Sequence, residues 1–302
     1  MKKEITIKSL ADYIRRVTNL KPRETEGSLF HKEIVFRGLS NCEYELVPSL
    51  DRYPSGRWMN SLAFVERDLI SEAIQKYPSS FSQGDLPLAK LAKLQHFGIP
   101  TRMMDVTSSA LVALYFACQE SNRNRKADGE IIVFSDYPTL AINANANIVA
   151  DTYRLTGNAF TPLESYYYRA IKQDYAISLQ YPNWEKEHGN AIQHFRQSLS
   201  RPFLVDSFEV STRQKNQQGK FILFPNTIVD SEEDDTLFVT GDLIKLSKHD
   251  PLIIKRYIVP NELKEEILRS LSVLGISKEY LFADSVDTVF EAVKKHQESR
   301  YK

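Results

Sequence analysis

Apolar residues recur along this chain at two spacings, one typical of helices and one typical of strands. In residues 61–77 they return every three to four positions, which predicts an amphipathic helix, whereas residues 33–39 form a short apolar run that predicts a strand. The same criteria predict further helices over 86–97, 164–178, 190–200, 261–274 and 286–295, and further strands over 130–134, 201–205, 220–224 and 252–259. This mixture predicts an α+β fold with helices clustered at both ends of a single domain, 1–302.

The stretch 91–117 has the most informative pattern in the chain. Gly98 suits the position just after a helix, where a left-handed backbone is needed, and Pro100 blocks continuation of that helix. Asp105 or Thr107 is then expected to cap a second helix. Residues 110–118 are all apolar or small, so the second helix is expected to be buried.

Between these two helices lies a concentration of polar residues. Polar side chains beside a buried helix must bond to each other or to a ligand, so we expect them to form the floor of a pocket. The residues concerned are Gln95, His96, Thr101, Arg102, Asp105, Thr107 and Ser108. Alternatively, Asp105 and Thr107 only cap the helix, His96 is structural, and Arg102 pairs with Asp105.

The amino-acid composition limits which classes of protein this chain can belong to. Thirty-nine basic and thirty-nine acidic residues give zero net charge, which provides no general attraction to nucleic acid or to an anionic membrane. Two cysteines, Cys42 and Cys118, indicate a reducing compartment rather than a disulfide framework. With neither a signal peptide nor a membrane span in the pattern, we expect a cytoplasmic protein.

Two more segments carry candidate chemistry. Arg37 and Gly38 end a predicted strand, where the planar guanidinium suits a phosphate or carboxylate and the glycine permits a close backbone approach. The segment 213–221 is rich in amides, including Gln217 and Gln218, that suit ribose hydroxyls or a carboxamide. A structural Arg37–Asp105 pair and a solvated loop remain the alternatives. Familiar phosphate-loop, dinucleotide and zinc motifs are missing from the sequence, and no metal site is expected.

These motifs together resemble those of the FRG domain family. The resemblance rests on Phe36-Arg37-Gly38, on the run 95–102 with residues 105–107, on 113–117, and on 217–221 with 274–276. It extends over most of the chain, with the motif-bearing core at about 30–295.

The order of the motifs is also similar to that of ADP-ribosyltransferases, whose fold has a central split sheet. By position, that resemblance implies that Arg37 holds the phosphates or nicotinamide-side ribose of NAD, and that Thr107 and Ser108 shape the nicotinamide pocket. Gln217 or Gln218 falls near the catalytic glutamate of that class. Because a neutral glutamine supplies no charge, Glu209 is the candidate substitute.

The resemblance therefore implies an NAD-consuming enzyme, of the kind found among toxins and phage-defence effectors. NAD would be its substrate, and its partners would be an unknown protein or nucleic-acid acceptor and a neutralising protein, with no membrane. A non-catalytic module that binds a nucleotide or a protein through the same cleft is the alternative. A weaker hypothesis is RNA binding through the tyrosines of residues 166–168.

Overall fold

The structure is a computed structural model that describes residues 4–23, 31–52, 62–82, 84–120, 126–156, 160–173, 188–206, 211–234 and 236–283. Glu209 and the predicted helix at 286–295 lie outside these residues.

Helices and strands are interspersed along the described residues. The helices are α1 (Leu10–Val17), α2 (Leu62–Lys76), α3 (Pro87–His96), α4 (Ala110–Ala117), α5 (Ala144–Ala150), α6 (Thr152–Leu155), α7 (Leu163–Lys172), α8 (His188–Ser198), α9 (Thr212–Asn216), α10 (Lys264–Val273) and α11 (Lys278–Leu281). The strands are β1 (Glu4–Thr6), β2 (Glu33–Leu39), β3 (Met103–Thr107), β4 (Gly129–Asp136), β5 (Thr139–Leu140), β6 (Phe160–Pro162), β7 (Phe203–Asp206), β8 (Gly219–Leu223), β9 (Asn226–Asp230), β10 (Leu237–Leu243) and β11 (Ile253–Val259). None of the helices in this part of the chain combines the length and the apolar character needed to cross a membrane.

Eight strands form one mixed sheet in the order β1-β11-β4-β2-β3-β8-β7-β5, and β6, β10 and β9 form a second, antiparallel sheet. Within the large sheet, β2 pairs with β4 along its whole length, from Glu33 to Leu39. On its other side β2 pairs with β3 at one position only, Phe36 opposite Thr107. The sheet is therefore two four-stranded halves joined by a single residue pair.

Three apolar clusters hold these layers together. On one face, α1, α4 and α10 cover the half-sheet of β2, β4 and β11, while α3, α5, α7 and α8 cover the half-sheet of β3, β7 and β8. On the opposite face, one cluster contains side chains of both halves, among them Val35 and Ile132 from the first and Val106 and Ile222 from the second. This shared cluster packs the two halves together where ladder hydrogen bonds are few.

The mixed α/β character predicted from the sequence is confirmed. The strand predicted at 33–39 has those bounds, and Gly98 adopts the expected positive φ, +83°, after α3. The expected clustering of helices at both ends of the chain is wrong, because α3 to α9 lie in its middle. The β9–β10 hairpin and α5 were not predicted, because α5 is rich in Ala and Asn and the two hairpin strands do not alternate regularly between apolar and polar residues.

Helix α4 is the buried centre of the first layer. Most of its apolar residues are buried as expected, but its N-cap is Ser109, whose Oγ accepts from the Val112 amide at 3.3 Å, rather than Asp105 or Thr107. Gly38 lies directly against this helix: a β-carbon there would be 1.9 Å from the carbonyl oxygen of Ala113. The close approach that this glycine permits is therefore that of α4.

Candidate functional site

A cavity of about 250 Å³ opens where β2 and β3 separate. One wall comes from β2 and α4, and the other from β3, β8, α3 and α9. Its lining residues are Phe36, Arg37, Gly38, Ala92, Gln95, His96, Asp105, Val106, Thr107, Phe116, Ser211, Arg213, Gln214, Gln217, Gly219 and Phe221. The three sequence segments predicted to converge, around Arg37, Asp105 and Gln217, therefore meet at one cavity.

Arg37 bridges the gap between the two half-sheets. Its Nη1 donates to the backbone carbonyl oxygen of Asp105, which lies on the strand opposite. Its Nε is buried and has no hydrogen-bond partner in the described part of the structure. Burial lowers the pKa of this guanidinium, and the nearby Asp105 carboxylate only partly opposes that effect. A buried, unpartnered donor on a cation is costly unless a ligand accepts from it.

The carboxylate of Asp105 is exposed on the other wall of the cavity. Its Oδ1 accepts from Nε2 of Gln95 at 2.6 Å. Thr101 in turn donates its hydroxyl to Oε1 of Gln95 and is almost fully buried. Thr101 therefore acts as a support behind Gln95 rather than as a cavity residue, which corrects its predicted role in cofactor binding.

Thr107 and Ser108 tie the end of β3 to the turn after α9. The Thr107 hydroxyl donates to the carbonyl oxygen of Gln217 at 2.6 Å and accepts from the Ser109 amide at 2.9 Å. Ser108 bonds to Gln218 twice, through its amide at 3.1 Å and its hydroxyl at 3.2 Å. These two side chains are therefore largely engaged in joining β3 to the turn.

The two candidate glutamines differ in position. Gln217 lines the cavity, but its Nε2 donates to the carbonyl oxygen of Leu281 at 3.1 Å. Gln218 is not among the lining residues and adopts a left-handed backbone with φ of 47°, which is uncommon for a residue other than glycine. Of the two glutamines, only Gln217 therefore lines the cavity, and its side-chain amide is hydrogen-bonded to a backbone carbonyl.

Arg102 corrects the sequence prediction most clearly. It is 1% exposed and forms a bidentate pair with the equally buried Glu66 of α2, not with Asp105. Its Nη1 donates to Asn226 at 2.7 Å and to the carbonyl oxygen of Phe224 at 3.3 Å, so all three guanidinium nitrogens have partners. Arg102 is a buried structural cation and lies outside the cavity.

Helix α9 supplies lining residues that the sequence interpretation placed in a loop. Ser211 caps this helix by accepting from the Gln214 amide at 3.1 Å, and the Ser-x-x-Gln spacing is a capping signal that could have located it. Arg213 lies over the ring of Phe282 at 4.7 Å and brings a second cation to the cavity. His96, at the end of α3, lines the same space beside Phe97.

Two other candidate chemistries lose support. Tyr166 and Tyr167 are buried at 2% and 0% exposure, so the run of three tyrosines does not form a base-stacking surface. Within the described ranges, no group of three or more His, Cys, Asp and Glu side chains is placed to hold a metal ion.

Comparison with known proteins adds one finding to this geometry. Residues 32–126, which include β2, α3, β3 and α4, match the family model of the FRG domain. No curated protein and no solved structure matches the chain.

Proposed function

We propose that the cavity beside Arg37 is a ligand site and binds NAD, because residues 32–126 match the model of the FRG domain, the family that the motifs of this chain resemble. In this proposal the chain consumes NAD, as an enzyme similar to ADP-ribosyltransferases. Arg37 holds the pyrophosphate, and the nicotinamide end lies toward Asp105 and Thr107.

One observation carries the proposal: among the described residues, the Arg37 guanidinium has no carboxylate partner and its buried Nε has no hydrogen-bond partner. A phosphate supplies the charge and the paired acceptor oxygens that this planar group prefers. Arg213, a second cation at the same cavity, favours a negatively charged ligand further.

The position of the cavity supports a nucleotide of this kind. The ADP-ribosyltransferases that the motif order resembles have a split central sheet and a first core strand that ends in Phe/Tyr-Arg. Here Arg37 lies on the strand that pairs with β3 at only one position. A toxin or phage-defence effector that transfers ADP-ribose to a protein or nucleic-acid acceptor, and is held in check by a neutralising partner, is the biological setting that we propose.

A second candidate function has its own support. Gln217 is neutral and donates to the Leu281 carbonyl, so it does not supply the carboxylate that the transferases use at the corresponding place. A non-catalytic module that binds NAD or a related nucleotide needs no such group. The two candidates share the Arg37 contact and differ only in turnover.

The test compares binding and turnover in one set of variants. Full-length protein is incubated with NAD, nicotinamide release is followed by chromatography, and ADP-ribose affinity is measured by calorimetry. Arg37→Ala removes a charge-assisted contact of about 1.5–3 kcal/mol, so affinity is expected to fall by roughly ten- to a hundredfold. Arg269→Ala, which removes an exposed cation outside the cavity, is the matched control.

The outcomes separate the candidates. Nicotinamide release that depends on Arg37 supports the enzyme, whereas binding without release supports the module. Equal affinity in wild type and Arg37→Ala, or no affinity for NAD and ADP-ribose in wild type, would contradict both.

A further inference from the structure

Two opposite charges line the cavity without pairing to each other. Arg37 and Asp105 both contribute to its walls, yet Arg37 donates to the backbone carbonyl of Asp105 and not to its carboxylate. Within the described residues, the Asp105 carboxylate forms no ion pair. An acid that served only to neutralise Arg37 would form a bidentate pair, as Glu66 does with Arg102.

The carboxylate of Asp105 is also held in one orientation. Gln95 donates to Oδ1, and the buried Thr101 hydroxyl fixes Gln95 from behind while accepting from the Met103 amide at 3.2 Å. This chain of contacts engages one carboxylate oxygen, and the structure records no partner for Oδ2 in its described part. Supporting contacts behind an exposed acid are the arrangement expected of a preorganised site.

We infer that Asp105 supplies the catalytic carboxylate of this cleft and contacts the nicotinamide-bearing ribose through its free oxygen, with Gln95 as its positioning residue. This inference rests on the proposed function and deepens it. It replaces Gln217, Gln218 and Glu209 as the group that stabilises positive charge at the reacting carbon.

The bond between C1′ of the ribose and the nicotinamide nitrogen breaks, and its electron pair leaves with nicotinamide, which becomes neutral. Positive charge then develops on the ribose ring, where the negative carboxylate of Asp105 stabilises it. An acceptor hydroxyl or water forms the new bond to C1′, and its proton passes to Asp105 or to solvent.

Asp105→Asn is the direct test, because it preserves the shape of the side chain and its contact with Gln95 but removes the charge. We expect nicotinamide release to fall by at least about a hundredfold, the scale of losing one preorganised electrostatic group. ADP-ribose affinity should stay within about twofold of wild type, since asparagine keeps a polar contact to the ribose that this ligand retains, and no positive charge develops on that ribose without bond cleavage. Asp242→Asn, at an exposed aspartate outside the cavity, should leave both quantities unchanged.

Gln95→Leu tests the positioning role. It should lower kcat by roughly tenfold without a matching change in ADP-ribose affinity, because the carboxylate is retained but loses its fixed orientation. Near-wild-type kcat in Asp105→Asn would overturn the inference while leaving the NAD site intact.

If the wild type binds NAD but does not turn it over, the proposed enzymatic activity is contradicted. The contact of Asp105 is then tested by comparing the affinities of Asp105→Asn for NAD and for ADP-ribose. NAD carries a cationic nicotinamide ring that ADP-ribose lacks, so Asp105→Asn should weaken NAD binding more than ADP-ribose binding. Equal weakening, or none, overturns the Asp105 contact. A wild type that binds neither ligand overturns the proposed function and the inference with it.

Discussion

Arg37 and Arg102 show that residue type alone does not decide whether an arginine lines a ligand pocket. Both Arg37 and Arg102 were predicted from the sequence to line a ligand pocket, and only Arg37 does so. Burial acts on both guanidinium groups, but at Arg102 the Glu66 carboxylate outweighs it and raises the pKa, whereas at Arg37 burial dominates and lowers the pKa. Glu66 lies on α2, 36 residues from Arg102, which directly precedes β3, so no local pattern in the sequence indicates this pairing.

The buried pair leads to a prediction at the scale of single residues. Glu66→Gln leaves the Arg102 cation buried without its counter-charge, so we expect a loss of about 3–5 kcal/mol in the free energy of unfolding. Urea denaturation monitored by circular dichroism measures it. The double variant Glu66→Leu/Arg102→Met should recover part of the loss, because two apolar groups need no partner. A single variant as stable as wild type would mean that the pair does not anchor α2 to β3.

The bounds of helices and strands were easier to predict from the sequence than which elements lie next to each other in the fold. Long segments with a clear period, such as α2 and α3, were located to within a residue or two because their apolar faces are buried. Short elements with polar or small residues were missed or assigned to loops, as α9 was. Which strand lies beside which depends on packing between distant segments, and the single-pair contact of β2 with β3 has no local signal.

Packing of β2 on α4 gives a prediction at the scale of elements. Gly38→Ala places a β-carbon 1.9 Å from the Ala113 carbonyl oxygen and 2.8 Å from the Ala117 nitrogen, so the helix must move away from the strand. We expect a cost of about 3 kcal/mol, the upper end for overpacking, because the opposing atoms belong to the backbone. The urea midpoint of Gly84→Ala, where the nearest atom is 3.9 Å away, is the control. Equal midpoints for the two variants would contradict the close contact.

At the scale of the whole molecule, the cavity lies at the weakest lateral connection of the large sheet. The half containing β2 and the half containing β3 share one ladder pair, one apolar cluster on the face opposite α4, the Arg37 bond to the Asp105 carbonyl and the Lys220–Glu33 ion pair. In the proposed function a ligand in the cavity contacts both halves and so adds a further connection between them. The zero net charge means that attraction of an anionic ligand depends on local cations such as Arg37 rather than on the overall field.

Ligand binding should therefore stabilise both half-sheets together. ADP-ribose at a hundred times its Kd should add about 2.7 kcal/mol to the free energy of unfolding. Hydrogen exchange measured by mass spectrometry should slow in β2 on one side of the cavity and in β3 and β8 on the other, because opening either wall then requires release of the ligand. In Arg37→Ala, where the guanidinium that spans the gap is absent, both effects should weaken at the same ligand concentration, the added stability to about 0.4–1.4 kcal/mol. Protection confined to one half-sheet would place the ligand on a single wall and contradict a site that bridges the gap.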